Sequence, residues 1–348
     1  MPGRTAIGLD IGTSGVRAAE LSYGRGGITL EKFGQVALPD GAVRDGEVID
    51  RAQVVEAIKT LWKGSGFSSK SVALGVANQR VVVRQVDLPF MPPSELKSSL
   101  PLHVQDYLPM PVDDCVLDFH VTEEVADENG RRLRGLLVAA ARDMVVGNVD
   151  TVQAAGLRVS SVDLTSFAVL RSVAKASSEV ATEALVDIGA RVSNLVIHSD
   201  GTPRFVRVLL SGGQDVTEAI SERLGVPTAL AEAVKRGAET DLGGQNPALV
   251  SSAVELMQEV FVDEIRSSID YYSAANAQFP VERIVLTGGG SLLAGLADRL
   301  AAVTRRPVVL GNPVAGLHLG NTGLNDDQLA SVQPLAAVPV GLALGVVL

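Results

Sequence analysis

The first strand of this chain ends in a carboxylate followed by a glycine turn, and the same pattern returns later in the sequence. Residues 7–21 read IGLDIGTSGVRAAEL, with Asp10 between an apolar strand and the turn. Residues 184–197 read ALVDIGARVSNLVI, with Asp187 at the corresponding place. The two acids are 177 residues apart, a period that indicates two related domains rather than a solenoid of short repeats.

The residues of the first turn are suited to holding an anion. Gly12 and Gly15 allow a tight turn and a close approach of the backbone to a ligand. The turn N–H groups converge on an anion, and the hydroxyls of Thr13 and Ser14 add to them. Arg17, two residues beyond the turn, is placed to reach a phosphate.

An acid beside a phosphate is unfavourable unless a cation lies between them. Asp10 therefore predicts a Mg²⁺ ion, held partly through water, and the later copy offers Asp187 together with Gly189 and Ser193. Two such hairpins that face each other across a cleft would clamp the phosphates of one nucleotide.

A third glycine-rich element follows an apolar strand near the end of the chain. Residues 285–295 read VLTGGGSLLAG, and the glycines allow flat packing against a base or sugar. The segment is expected to open a helix, whose N-terminus would contribute a positive dipole. Taken singly, each glycine turn is more typical of an ordinary loop; their combination and order favour nucleotide binding. The residues concerned are Gly288, Gly289, Gly290 and Ser291.

Composition excludes several classes of function. The net charge of −10 argues against nucleic acid or an anionic membrane as the main partner. A single cysteine, Cys115, excludes an internal disulfide, and four scattered histidines lack metal-ligand spacing. The apolar C-terminal stretch of about 15 residues is too short for a membrane span, so a buried terminal helix or strand is expected. With no signal-peptide pattern at the N-terminus, a soluble cytoplasmic location is expected.

Between the two hairpins, residues 89–150 change character. They predict a small α+β insert made of a helix, a two-stranded hairpin turning at Asn129–Gly130, and a second helix. Pro101 is expected to kink or interrupt the first of these helices. Upstream of the insert, Asp50 and Gln53 predict a capped helix that ends at Gly64.

The three glycine elements resemble the phosphate-1, phosphate-2 and adenosine motifs of the actin-like ATPase superfamily. AEAVKRG, residues 231–237, resembles the A-E-x-x-K helix that contacts ribose and adenine in that superfamily, which nominates Glu232 and Lys235. The resemblance implies an α/β, bilobed, duplicated ribonuclease-H-like fold that binds ATP and Mg²⁺ between its lobes.

Within that superfamily the chain resembles the PilM family of type IV pilus assembly proteins, an FtsA-like subgroup with an α+β insert in the first lobe. YLPMPVDDCVLDF (107–119) resembles the insert phrase of the family, and LLSGGQDVTEAI (209–220) follows in family order and nominates Gly213. The implied domains are a first lobe over 1–183 with its insert at about 85–155, a second lobe over 184–312, and a C-terminal segment over 313–348 that returns to the first lobe.

The family resemblance implies a cytoplasmic scaffold at the inner face of the membrane. Such a protein holds the N-terminal tail of a PilN-like membrane protein, whose motif resembles I-N-L-L-P, in a groove between the insert and the first-lobe core. Its bound nucleotide is expected to set the conformation of the lobes. Membrane association is then peripheral and runs through this partner, which connects the scaffold indirectly to the pilus inner-membrane complex and its motor. No nucleic acid partner is implied.

The segment VDLTSFAVLR corresponds to the region from which actin-like ATPases orient the attacking water. It nominates Asp163 and Thr165 as catalytic candidates. Thr165 stands where many PilM-like chains have an acid, so nucleotide binding with at most slow hydrolysis is expected. Two alternatives stay open: an FtsA-like division or filament protein, although the C-terminus lacks the basic residues of a membrane helix, and a small-molecule kinase of the same fold.

Overall fold

The computed structural model of the protein describes residues 4–127, 130–174, 181–238 and 247–346. These residues form two α/β lobes, each built on its own mixed sheet, and a smaller sheet with one covering helix. The duplicated α/β architecture predicted from the repeated hairpins is confirmed.

The strands in chain order are β1 Arg4–Ile11, β2 Gly15–Gly24, β3 Gly27–Ala37, β4 Val43–Arg44, β5 Glu47–Val48, β6 Ser71–Val76, β7 Val81–Pro89, β8 Cys115–Asp127, β9 Gly130–Ala141, β10 Arg158–Leu164, β11 Thr182–Ile188, β12 Ser193–Ser199, β13 Thr202–Leu209, β14 Arg283–Thr287, β15 Val308–Leu310 and β16 His318–Leu319. The helices are α1 Arg51–Ser65, α2 Pro93–Val104, α3 Arg142–Ala154, α4 Thr165–Val173, α5 Gly213–Leu224, α6 Thr228–Lys235, α7 Pro247–Ala275, α8 Leu296–Thr304, α9 Asp326–Val332 and α10 Ala337–Gly345.

The two large sheets repeat one topology. The first lobe has the order β10-β6-β1-β2-β3-β16, in which β1 pairs antiparallel with β2 and parallel with β6. The second lobe has the order β13-β12-β11-β14-β15, in which β11 pairs antiparallel with β12 and parallel with β14. In each sheet, the first strand in chain order carries the acid of the repeated sequence and lies between an antiparallel and a parallel neighbour.

Apolar periodicity explains how the sheets are covered. On α7, Phe261, Ile265 and Ile269 recur at helical spacing and are buried in the second-lobe core against β11 and β14. On α1, Val54, Ile58 and Leu61 do the same in the first lobe. The sequence thus places one helical stripe on each sheet, and the acid-bearing turns are left at the sheet ends.

Asp50 caps α1 as the sequence predicts, because its side chain accepts a hydrogen bond from the Gln53 amide at 3.1 Å. The predicted end of that helix at Gly64 is wrong by two residues. Gly66 adopts the left-handed conformation (φ 60°) and returns its N–H to the Trp62 carbonyl.

The insert comprises α2 and a three-stranded sheet of order β7-β9-β8. The prediction of a sheet with only two strands is wrong, because β7 pairs with β9, and the predicted second helix, α3, packs mainly on α1, β5 and β10. The predicted interruption at Pro101 is wrong, since α2 continues through it to Val104. Leu96, Leu100 and Val104 are buried at four-residue spacing and hold the helix on the sheet across the proline. The predicted hairpin joins β8 to β9, with Asp127 paired to Gly130, while Asn129 lies outside the described residues.

The C-terminal apolar stretch forms the buried helix that the sequence predicts. α10 packs against α4 and against β1, β2 and β6 of the first lobe. The described part of the chain contains one helical stretch, Asp327–Gly345, that is long and apolar enough to cross a membrane. Half of the most apolar 18 residues of this stretch are buried inside the protein, and core helices share this length and hydropathy.

Candidate functional site

The two acid-bearing hairpins face one cavity of about 1030 Å³ between the lobes. It is lined from one side by the β1–β2 turn and from the other by the β11–β12 turn, and α6 and the triple glycine also line it. The sequence candidates that line it are Asp10, Gly12, Thr13, Ser14, Gly15, Arg17, Thr165, Asp187, Gly189, Gly213, Glu232, Lys235, Gly288, Gly289 and Gly290.

The β1–β2 turn is tight because the Gly12 N–H donates to the Gly15 carbonyl at 3.0 Å, which leaves Thr13 and Ser14 at its tip. The glycine at position 15 has a specific packing reason. A Cβ there would lie 2.6 Å from the Val36 carbonyl oxygen, so only glycine lets β3 pass this close.

Asp10 and Arg17 are cross-strand partners at the base of this turn. Arg17 Nη1 lies 3.7 Å from Asp10 Oδ2, and Arg17 Nη2 donates to Ser14 Oγ at 3.2 Å. Burial raises the pKa of the Asp10 carboxyl, and the Arg17 charge offsets part of that rise. Arg17 Nε is buried without a protein partner.

Asp187 lies opposite Asp10 and is 8% exposed. Burial, followed by the negative charge of Asp10, raises its pKa from 3.8 to about 7. Asn194 Nδ2 lies 3.5 Å from Asp187 Oδ2, while Asn194 Oδ1 accepts hydrogen bonds from the hydroxyls of Thr165 and Ser166 on α4. Asn194 therefore links the second-lobe acid to a first-lobe helix.

The β11–β12 turn is braced by the start of α5. The N–H groups of Gly213 and Gln214 donate to the carbonyls of Gly189 and Ala190 at 2.9 and 2.7 Å. These two helix N-terminal donors are thus used inside the protein. Arg191, in the turn itself, forms an ion pair with Glu218 on α5, which fixes the turn to the helix.

Glu232 and Lys235 on α6 contact each other and neighbouring residues of α5. Lys235 Nζ donates to the Gly213 carbonyl and to Thr217 Oγ1, both at 2.8 Å, and lies 2.6 Å from Glu232 Oε2. Burial lowers the pKa of Lys235, and Glu232 opposes this change. Burial likewise opposes ionisation of Glu232, but hydrogen bonds from Lys235 and Thr217 outweigh it and lower its pKa.

The prediction that the triple glycine opens a helix is wrong. Gly289–Leu292 form one 3-10 turn, and α8 begins only at Leu296, so its N-terminus is not at the glycines. Gly288 has φ 80°, and a Cβ there would lie 2.7 Å from Asp187 Oδ1. Glycine is required at 288 because the backbone has to turn directly against the acid.

Three sequence candidates do not line the cavity: Asp163, Ser193 and Ser291. Asp163 forms an ion pair with Arg171 on α4. The Ser193 hydroxyl donates to the Ser211 carbonyl, and the Ser291 hydroxyl donates to the Gly288 carbonyl, each at 2.7 Å. All three side chains have protein partners.

Asn194 is the residue that sequence reasoning missed. The sequence repeat was available to find it, because Asn194 follows Asp187 at the same interval at which Arg17 follows Asp10. In each hairpin these two residues are cross-strand partners on one face. Ser193 is one position off this register, and a shift of one residue turns a strand side chain to the opposite face.

The site provides two carboxylates for a cation. Groups of three or more His, Cys, Asp or Glu side chains that would enclose a metal are absent from the described ranges. Asp10 and Asp187 nevertheless fit Mg²⁺, which takes one or two protein carboxylates and completes its octahedron with water and phosphate oxygens. Their mutual repulsion is a further reason why a divalent cation suits this place.

Comparisons with known proteins agree with this architecture. The chain matches the family model described as type IV pilus assembly protein PilM over residues 8–346. Its fold is similar to that of a solved PilM-PilN type IV pilus biogenesis complex, with a TM-score of 0.86, 28% identity and 99% of both chains covered.

More distant relatives share the fold. The chain is 26% identical to the cell division protein FtsA of Streptococcus pneumoniae serotype 2 over 84% of this chain and 72% of that protein. It also resembles MreB 5 of Spiroplasma citri bound to AMPPNP, with a TM-score of 0.55, 11% identity, and 97% and 94% of the two chains covered. These relatives are members of the bilobed actin-like superfamily, which agrees with the fold class expected from the sequence.

Proposed function

The chain belongs to the PilM family of type IV pilus assembly proteins, and on that basis we propose that it is an ATP-binding scaffold that holds the N-terminal tail of a PilN-type protein. The observation that carries the nucleotide part is the facing pair of turns, with Asp10 and Asp187 opposed across one large cavity. Membrane association is proposed to be peripheral, on the cytoplasmic side, through the tail alone.

In this proposal the phosphates lie between the two turns. The Arg17 guanidinium, whose Nη1 lies 3.7 Å from Asp10 Oδ2, would turn toward a phosphate oxygen, and Asp10 and Asp187 would hold Mg²⁺. The adenosine lies toward α6 and the triple glycine, where Leu292, Leu293 and Leu335 give an apolar wall.

We propose slow hydrolysis at most. Hydrolysis needs a group that orients the attacking water as well as charge stabilisation. Thr165 is engaged with Asn194, and Asp163 is engaged with Arg171 outside the cavity. Of the carboxylates known to line the cavity, Asp10 and Asp187 are the proposed cation ligands and Glu232 is bound to Lys235. No carboxylate of the described cavity lining is left over to orient water.

The tail is proposed to lie along the inner face of β8. Val116, Asp118 and His120 are exposed there, yet their cross-strand neighbours on β9 are buried against the first-lobe helices. Opposite them stands Phe167 of α4, its ring 5.8 Å from that of His120. β8 is also an outer strand of its sheet, so it offers backbone groups to an extended peptide.

Isothermal titration tests both parts. The wild-type chain should bind ATP with Mg²⁺ and a synthetic tail peptide containing I-N-L-L-P. Asp187→Asn should lose the Mg²⁺-dependent share of ATP affinity, while Asp163→Asn, a carboxylate outside the cavity, should keep it. His120→Ala should weaken binding of the tail peptide. Leu102→Ala, on α2 at the opposite face of the insert sheet, should leave peptide binding unchanged. Binding of neither ligand would refute the proposal.

A further inference from the structure

The insert meets the second lobe edge to edge. β7 is an outer strand of the insert sheet, and β13 is an outer strand of the second-lobe sheet. The two lie against each other, and no ladder pairing joins them among the strands that the structure describes. A slot of about 250 Å³ separates them, lined by residues 81–83 of β7 and 206–208 of β13. We call this contact the seam.

Few interactions hold the seam together. Val83 and Leu136 of the insert pack in the same apolar cluster as Val206 of β13. The seam also includes one contact of β13 with β8, in which Arg204 Nη1 lies 3.7 Å from Glu123 Oε1. A partly exposed ion pair and a small apolar contact are weak compared with the continuous hydrogen bonding inside each sheet, so the seam is the place where the two bodies can shift.

The seam is connected to the cleft by a direct row of strand partners. Asp187 on β11 is opposite Asn194 on β12, and Asn194 is opposite Val208 on β13. Val208 in turn lines the slot against β7. Two strand spacings, about 10 Å, separate the acid from the slot. Because ladder hydrogen bonds join β11, β12 and β13, a displacement of the Asp187 hairpin carries β13 with it.

We infer that the seam transmits the occupancy of the nucleotide cleft to the insert. The inference rests on the proposed function, because it supposes that nucleotide binds at Asp187 and that a tail binds on the insert. When cation and phosphate draw the two hairpins together, β13 moves relative to β7 and the slot changes width. β7, β9 and β8 form one sheet, so the inner face of β8 moves with respect to α4. Tail affinity thereby depends on the nucleotide.

Hydrogen exchange on the full chain tests the movement itself. Addition of Mg²⁺-ATP should change amide exchange in peptides covering 81–89 and 202–209, in addition to the cleft peptides covering 10–17. The edge strand β16, far from the seam, is the internal control and should not change. Protection at 10–17 with no change at either seam strand would overturn the inference while leaving nucleotide binding intact.

A matched pair of variants tests the coupling. The measured quantity is the ratio of the tail-peptide Kd without and with Mg²⁺-ATP, for which allosteric systems give roughly 5- to 150-fold. Glu123→Gln removes the ion pair with Arg204 of β13, together with the contact between Glu123 and Arg134 inside the insert, and should bring this ratio at least about threefold closer to one. Glu124→Gln, whose partner Arg131 is in the insert, should leave it unchanged. Val208→Phe, which fills the slot, should also reduce it.

The outcomes separate the two levels of the proposal. If neither ligand binds, the proposed function fails, and the inference fails with it. If both ligands bind and the ratio is already one, or if it is equal in wild type, Glu123→Gln and Val208→Phe, the inference alone is overturned. Loss of coupling in Glu123→Gln and Val208→Phe, with each ligand still binding singly and Glu124→Gln unaffected, supports it.

Discussion

Replacing Asp187 with asparagine is expected to stabilise the ligand-free protein above neutral pH while it removes cation-dependent nucleotide binding. Burial and the charge of Asp10 raise the pKa of Asp187 from 3.8 to about 7. The folded protein thus holds this proton more tightly than the unfolded chain. The free energy of unfolding therefore falls as the pH rises from about 4 to about 7, and stays low above that.

The size of the effect follows from the pKa difference. At about 1.4 kcal/mol per pH unit, the raised pKa of Asp187 costs the fold about 1.5 kcal/mol at pH 5, where the folded group keeps its proton, and on the order of 4 kcal/mol at pH 8, where it is mostly ionised. Asp187→Asn removes this cost and keeps an oxygen that can accept from Asn194. Since Asp10 and Asp187 ionise as a pair, part of the cost stays with the pair, and the gain in stability should grow by about 2 kcal/mol from pH 5 to pH 8.

The assay is urea unfolding in EDTA at pH 5, 6, 7 and 8, with wild type, Asp187→Asn and Asp270→Asn compared at each pH. Asp270 is an exposed carboxylate on α7 and serves as the matched loss of one negative charge. A stability difference that does not change with pH would refute the electrostatic reasoning. So would an Asp187→Asn protein that is less stable than wild type at pH 8.

Three further substitutions, with Gly289→Ala as a control, test close backbone packing at two glycines and the cap of α1. Gly288→Ala puts a Cβ 2.5 Å from a carbonyl oxygen at φ 80° and should cost about 2 kcal/mol in urea unfolding, whereas Gly289→Ala, 3.1 Å from a leucine methyl, should cost much less. Asp50→Ala removes the cap of α1 and should cost about 1 kcal/mol, also by urea unfolding. Gly341→Ala, whose Cβ would lie 1.8 Å from an α4 carbonyl, should separate α10 from α4 and lower the melting temperature by about 10 °C or more in calorimetry.

The sequence predicted the parts of the fold that depend on local patterns. The two strand–acid–glycine–strand units correctly predicted the hairpins β1–β2 and β11–β12, because apolar runs and turn glycines are local properties of the sequence. Pro101 shows the opposite case. Its local preference against helix is overcome by Leu96, Leu100 and Val104, whose burial depends on a sheet that the helix sequence does not contain.

The site was predictable wherever the repeat fixed the register. Asp10 and Arg17 were found from one hairpin, and the same interval in the second hairpin leads to Asn194 rather than to Ser193. What could not be read from the sequence was which candidates are already engaged by neighbours. Asp163 has Arg171 as its partner, an interaction between the end of one strand and the next helix that no spacing rule specifies.

The chemistry of the cleft explains why one bound cation would matter for the whole molecule. Arg17 lies 3.7 Å from Asp10, and its positive charge lowers the pKa of Asp187 by less than burial and Asp10 raise it, so a single arginine does not balance both carboxyls. A divalent cation between the two acids would neutralise both, one from each lobe. The electrostatic difference between empty and occupied protein is therefore concentrated where the lobes meet. Asn194 connects this place both to α4 and, through Val208, to the seam, so the lobes and the insert respond to the same event.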